Sequence, residues 1–274
     1  MLFLAVFLAW MIPAVAHAGD GRIEDNSFLL EEAYNQEPGV IQHISAFSRS
    51  IRTSGWTYSF TEEWPVLGQT HQASITFTAA GAGNRSGGMG DLGLNYRLQV
   101  IGSDDSRVAM APRLTVLLPT GDERRGLGSG GVGAQLNVPV SVLVSRQFVM
   151  HVNVGGTHVP SARDAAGHTG TLTNFAAGMG LVWLAHANFN VLCEALYTAA
   201  WVAGSSGTDR LNTLTINPGV RAAINFASGL QIVPGLSVPI GVGPSRGERA
   251  VFFYLSFEHP FRLAGPTEPE EHRP

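Results

Sequence analysis

From Val40 onward apolar and polar residues alternate with a period of two. Leu92, Leu94, Tyr96, Leu98 and Val100 alternate with Gly93, Asn95, Arg97 and Gln99. Leu136, Val138, Val140, Val142 and Val144 alternate with Gln135, Asn137 and Ser141, and Phe148, Met150, Val152 and Val154 with His151 and Asn153. Phe189, Val191, Ala195, Tyr197 and Trp201 alternate with Asn188, Asn190, Glu194 and Thr198. This period marks strands with one apolar and one polar face. Twelve such segments can be drawn: 40–52, 54–64, 70–79, 90–101, 106–119, 131–144, 146–157, 170–184, 187–202, 211–225, 228–240 and 247–261. Most exceed the five or six residues usual in soluble sheets and match the ~9–11 that a tilted strand needs to cross a bilayer.

The connections alternate as well. Short ones at 65–69, 102–105, 145, 185–186 and 227 interleave with longer Gly/Ser/Asp/Arg-rich ones at 80–89, 121–130, 160–170, 204–210 and 241–246. Short turns at one end and long loops at the other predict an all-β fold, an antiparallel transmembrane β-barrel of about twelve strands, with both termini on the short-turn side. The first hairpin, near Arg52-Thr53, is the weak point of this strand count. Trp56, Tyr58, Trp64, Trp183, Tyr197 and Trp201 fall where strand ends meet an interface, as in aromatic girdles. The last segment places Val251, Phe253, Leu255, Phe257 and Phe261 on one parity, which resembles the aromatic-ended strand read by barrel-assembly machinery. The polar tail 262–274 follows it.

Before the alternation begins the pattern changes. Residues 1–18 form an apolar run ending in Ala16-His17-Ala18, which reads as a secretory signal peptide although no Lys or Arg precedes the run. Residues 19–39 form an N-terminal periplasmic segment. Within it, Ser27 as cap, early Glu31 and Glu32, and the stop at Pro38-Gly39 predict a short helix over Phe28–Gln36. That helix could cap or plug the barrel mouth. The barrel itself is expected over 40–261, in the outer membrane of a Gram-negative cell.

Composition narrows the chemistry. Only 14% of the residues are charged, Gly numbers 33, and the net charge is −4. All 17 basic residues are Arg, which excludes P-loop and Schiff-base lysines. The acidic balance argues against a nucleic-acid partner. The single Cys193 excludes an intrachain disulfide or cysteine-based zinc site.

Several motifs carry a chemical and a structural reading. Gly88–Gly93 and Gly126–Gly131 both match G-x-G-x-x-G, but each opens a strand, so tight turns at a barrel rim fit better than a dinucleotide fold. His43 and Ser45 share one strand face, which places a histidine beside a candidate serine nucleophile. Outer-membrane phospholipases similarly carry His-x-Ser on a twelve-stranded barrel, but no following Asn-Gly partner or calcium loop accompanies the pair here. His151, His158 and His168 cluster in sequence near Asp164, but they straddle a flexible Gly/Ala/Arg loop, so neither a metal nor another cofactor is expected. Cys193 lies on the apolar parity. The polar parity, formed by Asn95, Arg97, Gln99, Arg113, Gln135, Asn137, His151, Asn153, Glu194, Asn217, Arg221 and Glu258, is expected to line the lumen. Lipid-facing charges there would cost ~2–4 kcal/mol each at mid-depth.

The stretch Gly88-Met-Gly-Asp-Leu-Gly-Leu-Asn-Tyr-Arg97, followed by Ala111-Pro-Arg-Leu114 and Leu118-Pro-Thr-Gly121, resembles an outer-membrane β-barrel transporter family labelled meta-pathway phenol-degradation protein. The resemblance implies a barrel that passes aromatic or hydrophobic molecules, with no catalytic residues. The expected function is a channel for passive passage of small molecules, with the bilayer, the barrel-assembly machinery and the solute as partners. A lipid hydrolase using His43 and Ser45, a plugged structural or adhesive barrel, and a soluble secreted β protein stay open as alternatives.

Overall fold

The computed structural model of the protein describes residues 23, 27–83, 87–103, 106–204 and 207–261. The signal-peptide and C-terminal-tail assignments lie outside them. Twelve antiparallel strands close into a barrel. They are β1 (Val40–Ser50), β2 (Trp56–Pro65), β3 (His71–Gly81), β4 (Leu92–Leu98), β5 (Arg113–Leu118), β6 (Gly133–Ser145), β7 (Phe148–Arg163), β8 (Thr169–His186), β9 (Phe189–Gly204), β10 (Gly207–Ala222), β11 (Gln231–Ser237) and β12 (Ala250–Pro260). Each pairs with its sequence neighbour, and β12 pairs with β1 from Val40↔Pro260 to Ser50↔Ala250, so no edge is left open.

Four strands are interrupted. Short paired stretches at Gly88–Met89, Val108–Met110, Ile224–Asn225 and Ile240–Gly241 extend β4, β5, β10 and β11 past breaks in the ladder. Two of the breaks hold Pro112 and Pro239, which have no N–H to donate. The surrounding backbone remains bonded: Pro112 C=O accepts from Leu98 N at 3.0 Å, and Pro139 C=O accepts from Ala111 N at 3.3 Å.

Register fixes what faces where. Gln42 sits opposite Glu63 and Glu258, and Glu194 opposite Asn217 and Gly180, so the polar parity of every strand points inward. Arg97, His151, Glu194, Asn217 and Arg221 are each at most 2% exposed, whereas Leu94, Leu114, Leu136, Met179 and Phe253 are 44 to 56% exposed. A soluble sandwich would do the reverse. The apolar outer wall identifies lipid as its solvent.

Trp56 and Trp64, both on the outer parity of β2, lie at opposite ends of that strand. Eight steps at ~3.3 Å, tilted by ~40°, separate them by roughly 20 Å along the barrel axis, close to the ~25 Å apolar band of such barrels. Trp183 and Trp201 repeat this arrangement on β8 and β9, and the Arg210 guanidinium stacks 5.1 Å over Trp201.

The expected helix is absent. Residues 27–37 form bends without helical turns. A single short helix is marginal without an apolar surface to pack on. Here the barrel interior offers side-chain acceptors for the same main-chain N–H groups, and the segment takes those instead.

Candidate functional site

Residues 27–37 run along the inner wall as a strap, within the short-turn half of the lumen. Phe28 starts it against β10, β11 and β12. Its ring lies 5.6 Å from both Phe252 and Tyr254. A Cβ added at Gly219 or Gly235 would come within 2.5 Å of that ring, so inward-facing glycines make its seat. Leu30 packs the same way over Gly178 and Gly180 of β8. With Ile23, Val182, Leu192 and Val233, Phe28 forms an apolar core inside the barrel.

The strap backbone is then bonded residue by residue to polar wall side chains. The Glu194 carboxylate accepts from Leu29 N at 3.0 Å and Leu30 N at 3.1 Å, and Asn217 Nδ2 donates to it at 2.8 Å. Asn153 accepts from Glu31 N through Oδ1 at 2.9 Å and donates to Glu31 C=O through Nδ2 at 2.8 Å, imitating a strand partner. Ser141 Oγ accepts from Ala33 N at 2.8 Å and contacts His151 Nδ1 at 2.8 Å. Gln99 accepts from Asn35 N and donates to Ala33 C=O. Gln72 Oε1 accepts from Gln36 N at 2.8 Å. Arg97 donates to Asn35 Oδ1 and to the Glu32 and Tyr34 carbonyls.

Glu31 on the strap pairs with arginines of the wall. Glu31 forms a two-pronged pair with Arg113, Nη2 to Oε1 at 2.6 Å and Nε to Oε2 at 2.9 Å, and accepts from Asn137 Nδ2 at 2.9 Å. Arg97 stands 4.0 Å away. Burial pushes the Glu31 carboxyl up, but the Arg113 and Arg97 guanidiniums and these hydrogen bonds outweigh it and hold the group below its ordinary value.

The remaining inward residues complete the lining. Asn95 and Gln135 both accept from Arg113, Arg221 donates to Ile23 C=O at 3.2 Å, and Glu258 lies beside Gln42 and Gln231. A cavity of about 160 Å³ persists between the strap and β5–β9, bordered by Arg113, Gln135, Asn137, Asn153, Thr157 and Asn174.

The other motifs do not join this site. His43 and Ser45 face outward. Ser45 Oγ lies 3.2 Å from Tyr58 Oη, while His43 Nε2 lies 3.1 Å from His259 Nε2 and its Nδ1 3.8 Å from Glu62. His151 faces the lumen, His158 bonds Thr173 on the outer parity, and His168 bonds Asp164 within its loop, so the three histidines diverge. Cys193 is exposed on the outer wall.

From the sequence Phe28 and Glu31 are expected only as parts of a helix and Ser141 only as a polar strand position, and Gln42, Glu63, Gln72 and the inward glycines are not among the expected lining residues. The available signal was glycine on the polar parity of long strands, at 178, 180, 219 and 235.

No protein-family model matches the chain, and no curated protein matches it. Solved structures do. An outer-membrane channel from Pseudomonas putida F1 aligns with 12% identity and a TM-score of 0.58 over 90% of this chain and all of that one. The NanC porin aligns with 7% identity and a TM-score of 0.54 over 81% of this chain and all of that one. The fold is that of outer-membrane barrels. Identities this low carry the architecture alone, and chemistry has to be read from the lumen.

Proposed function

We propose that the protein is an outer-membrane channel for passive passage of small molecules. The barrel-assembly machinery inserts it after residues 1–18 are removed, with the short-turn end in the periplasm and the long loops outside. The observation that carries this reading is the construction of the lumen. Its lining is polar, a space of about 160 Å³ stays open beside the strap, and the strap contributes no strand to the wall. A segment held by side-chain hydrogen bonds and by ion pairs such as Glu31–Arg113 can leave without opening the sheet. The strap therefore sets the resistance of the periplasmic half, and the lumen selects by size, hydrogen bonding and field. Similarity to the transporters labelled for phenol degradation makes aromatic or hydrophobic compounds the first solutes to test.

Single-channel recording of the refolded mature protein in planar bilayers tests the proposal. Discrete steps, altered by one class of solute, are expected. A folded, heat-modifiable barrel without steps, both with the strap intact and with it weakened, overturns it. That outcome selects the second reading, a structural barrel permanently closed by residues 27–37, which the number of strap hydrogen bonds favours.

A further inference from the structure

The two glycine motifs meet in space. The loop between β5 and β6 docks onto the start of β4 through Asp91. Its Oδ1 accepts from Gly121 N at 3.1 Å, and its Oδ2 accepts from Ser129 N at 2.7 Å and Ser129 Oγ at 2.6 Å. Thr120 Oγ1 donates to Gly90 C=O at 3.2 Å. A Cβ on Gly121 would lie 2.9 Å from Gly128 Cα, and one on Gly90 2.9 Å from Leu127 O. The glycines are thus the two halves of one close-packed joint, which only residues without a Cβ allow.

The joint aims the tip of the loop. Residues Glu123–Arg125 form one 3₁₀ turn, with Asp122 C=O accepting from Arg125 N and Leu127 N at 3.0 Å each, and Gly126 ends it in the left-handed region at φ 71°. The turn divides its charges. Glu123 lies over Gly130, whose added Cβ would be 3.1 Å from Glu123 Cγ. Arg124 and Arg125 border a cavity of about 880 Å³ that opens at the long-loop end, faced by Ser48, Ser50, Thr53 and Thr57. Among the described residues bordering this cavity none is acidic. Arg125 also donates to Gly87 C=O at 3.3 Å, which tethers its side chain at the joint. Two arginines and four hydroxyl side chains border the same cavity, a lining suited to a carboxylate on a hydroxyl-bearing body.

We infer that this mouth cavity binds small hydroxylated organic acids, the carboxylate held by Arg124 and Arg125 and the hydroxyls by Ser48, Ser50 and Thr57. The inference deepens the channel reading and rests on it for the assignment of this end as the solute entrance. Asp91 is a positioning residue that holds the loop in place.

Calorimetric titration of the full mature barrel in detergent is the test, with 4-hydroxybenzoate against phenol and glucuronate against glucose. Within each pair the carboxylate marks the difference. Each acid that binds is expected to do so at least ~10-fold more tightly than its neutral partner, with the advantage shrinking as salt rises. It is expected to disappear in Arg124→Gln/Arg125→Gln and to weaken in Asp91→Ala. Preference for one acid identifies the body as aromatic or sugar-like. Equal binding of acid and neutral partner, an advantage insensitive to salt, or one that survives the double substitution overturns the inference. The salt series on the unaltered protein decides even if a variant does not fold. Conductance in plain salt reports separately on the channel: steps without acid preference sink this site alone, and acid binding without steps sinks the channel alone.

Discussion

Replacing Phe28 with alanine should release the strap while leaving the barrel intact. The Phe28 side chain is 8% exposed and packs against two aromatic rings at 5.6 Å. It also rests on the backbone at Gly219 and Gly235, where even one added carbon would collide with it. Phe→Ala in a core costs about 3–5 kcal/mol, the larger values arising where the surroundings cannot collapse into the space. A closed barrel wall held by inter-strand hydrogen bonds is such a surrounding. A loss of about 4 kcal/mol shifts the docked-to-undocked ratio roughly a thousandfold. The assay is limited proteolysis by a glutamate-specific protease, read at Glu32, which is buried in the docked state. Where reclosing is fast, cleavage follows the open population. The rate should rise by about two to three orders of magnitude, with heat-modifiable migration unchanged because Phe28 pairs with no strand. A cleavage rate within threefold of the unaltered protein would refute the claim that this apolar seat anchors the strap.

Other perturbations act on the same contacts or on the wall. Gly178→Leu should also expel the strap, because its Cβ would stand 2.5 Å from Leu30 Cδ2; the same protease assay reads it. Arg113→Ala leaves the Glu31 carboxylate buried without its closest ion-pair partner, a change that costs about 3–5 kcal/mol. Its conductance should show more frequent or larger openings, and an unchanged record counts against the ion pair as a latch. Because the docked Glu31 carboxyl titrates below its ordinary value of 4.5, its contribution to docking is complete above that pH. The contribution fades as pH falls through the lowered value, so openings should increase under acid and the increase should be smaller in Glu31→Gln. On the outer wall, Met179→Arg should reduce folding free energy in vesicles by about 2–4 kcal/mol in a urea titration, and no loss would place that face away from lipid.

Strand placement was legible because a two-residue period leaves little freedom. A one-residue slip would turn every Leu, Val and Phe of a segment into the lumen and every Asn, Gln and Glu into lipid. Hence the twelve segments, their inward and outward faces, the first hairpin near Arg52 and the Trp positions can all be read from the chain. The ladder breaks at Pro112 and Pro239 are less visible, since neighbouring strands decide whether a missing N–H can be tolerated. Residues 27–37 mark the sharper limit. Locally they carry a cap, early acids and a stop, all favouring a helix. Those preferences amount to about 1 kcal/mol apiece, and a helix that short cannot sustain itself on them. What overrides them is a set of wall acceptors and donors, from Gln72 to Glu194, that lie up to 165 residues from their strap partners in sequence and that only barrel closure brings to one inner surface. The same closure joins Asp91 to Ser129 and turns two glycine motifs into one joint. The sequence by itself determined the barrel, because alternation is a local property set by the solvent on each face. The tertiary structure decided what fills the lumen, because that depends on side chains distant in the chain meeting across a closed ring.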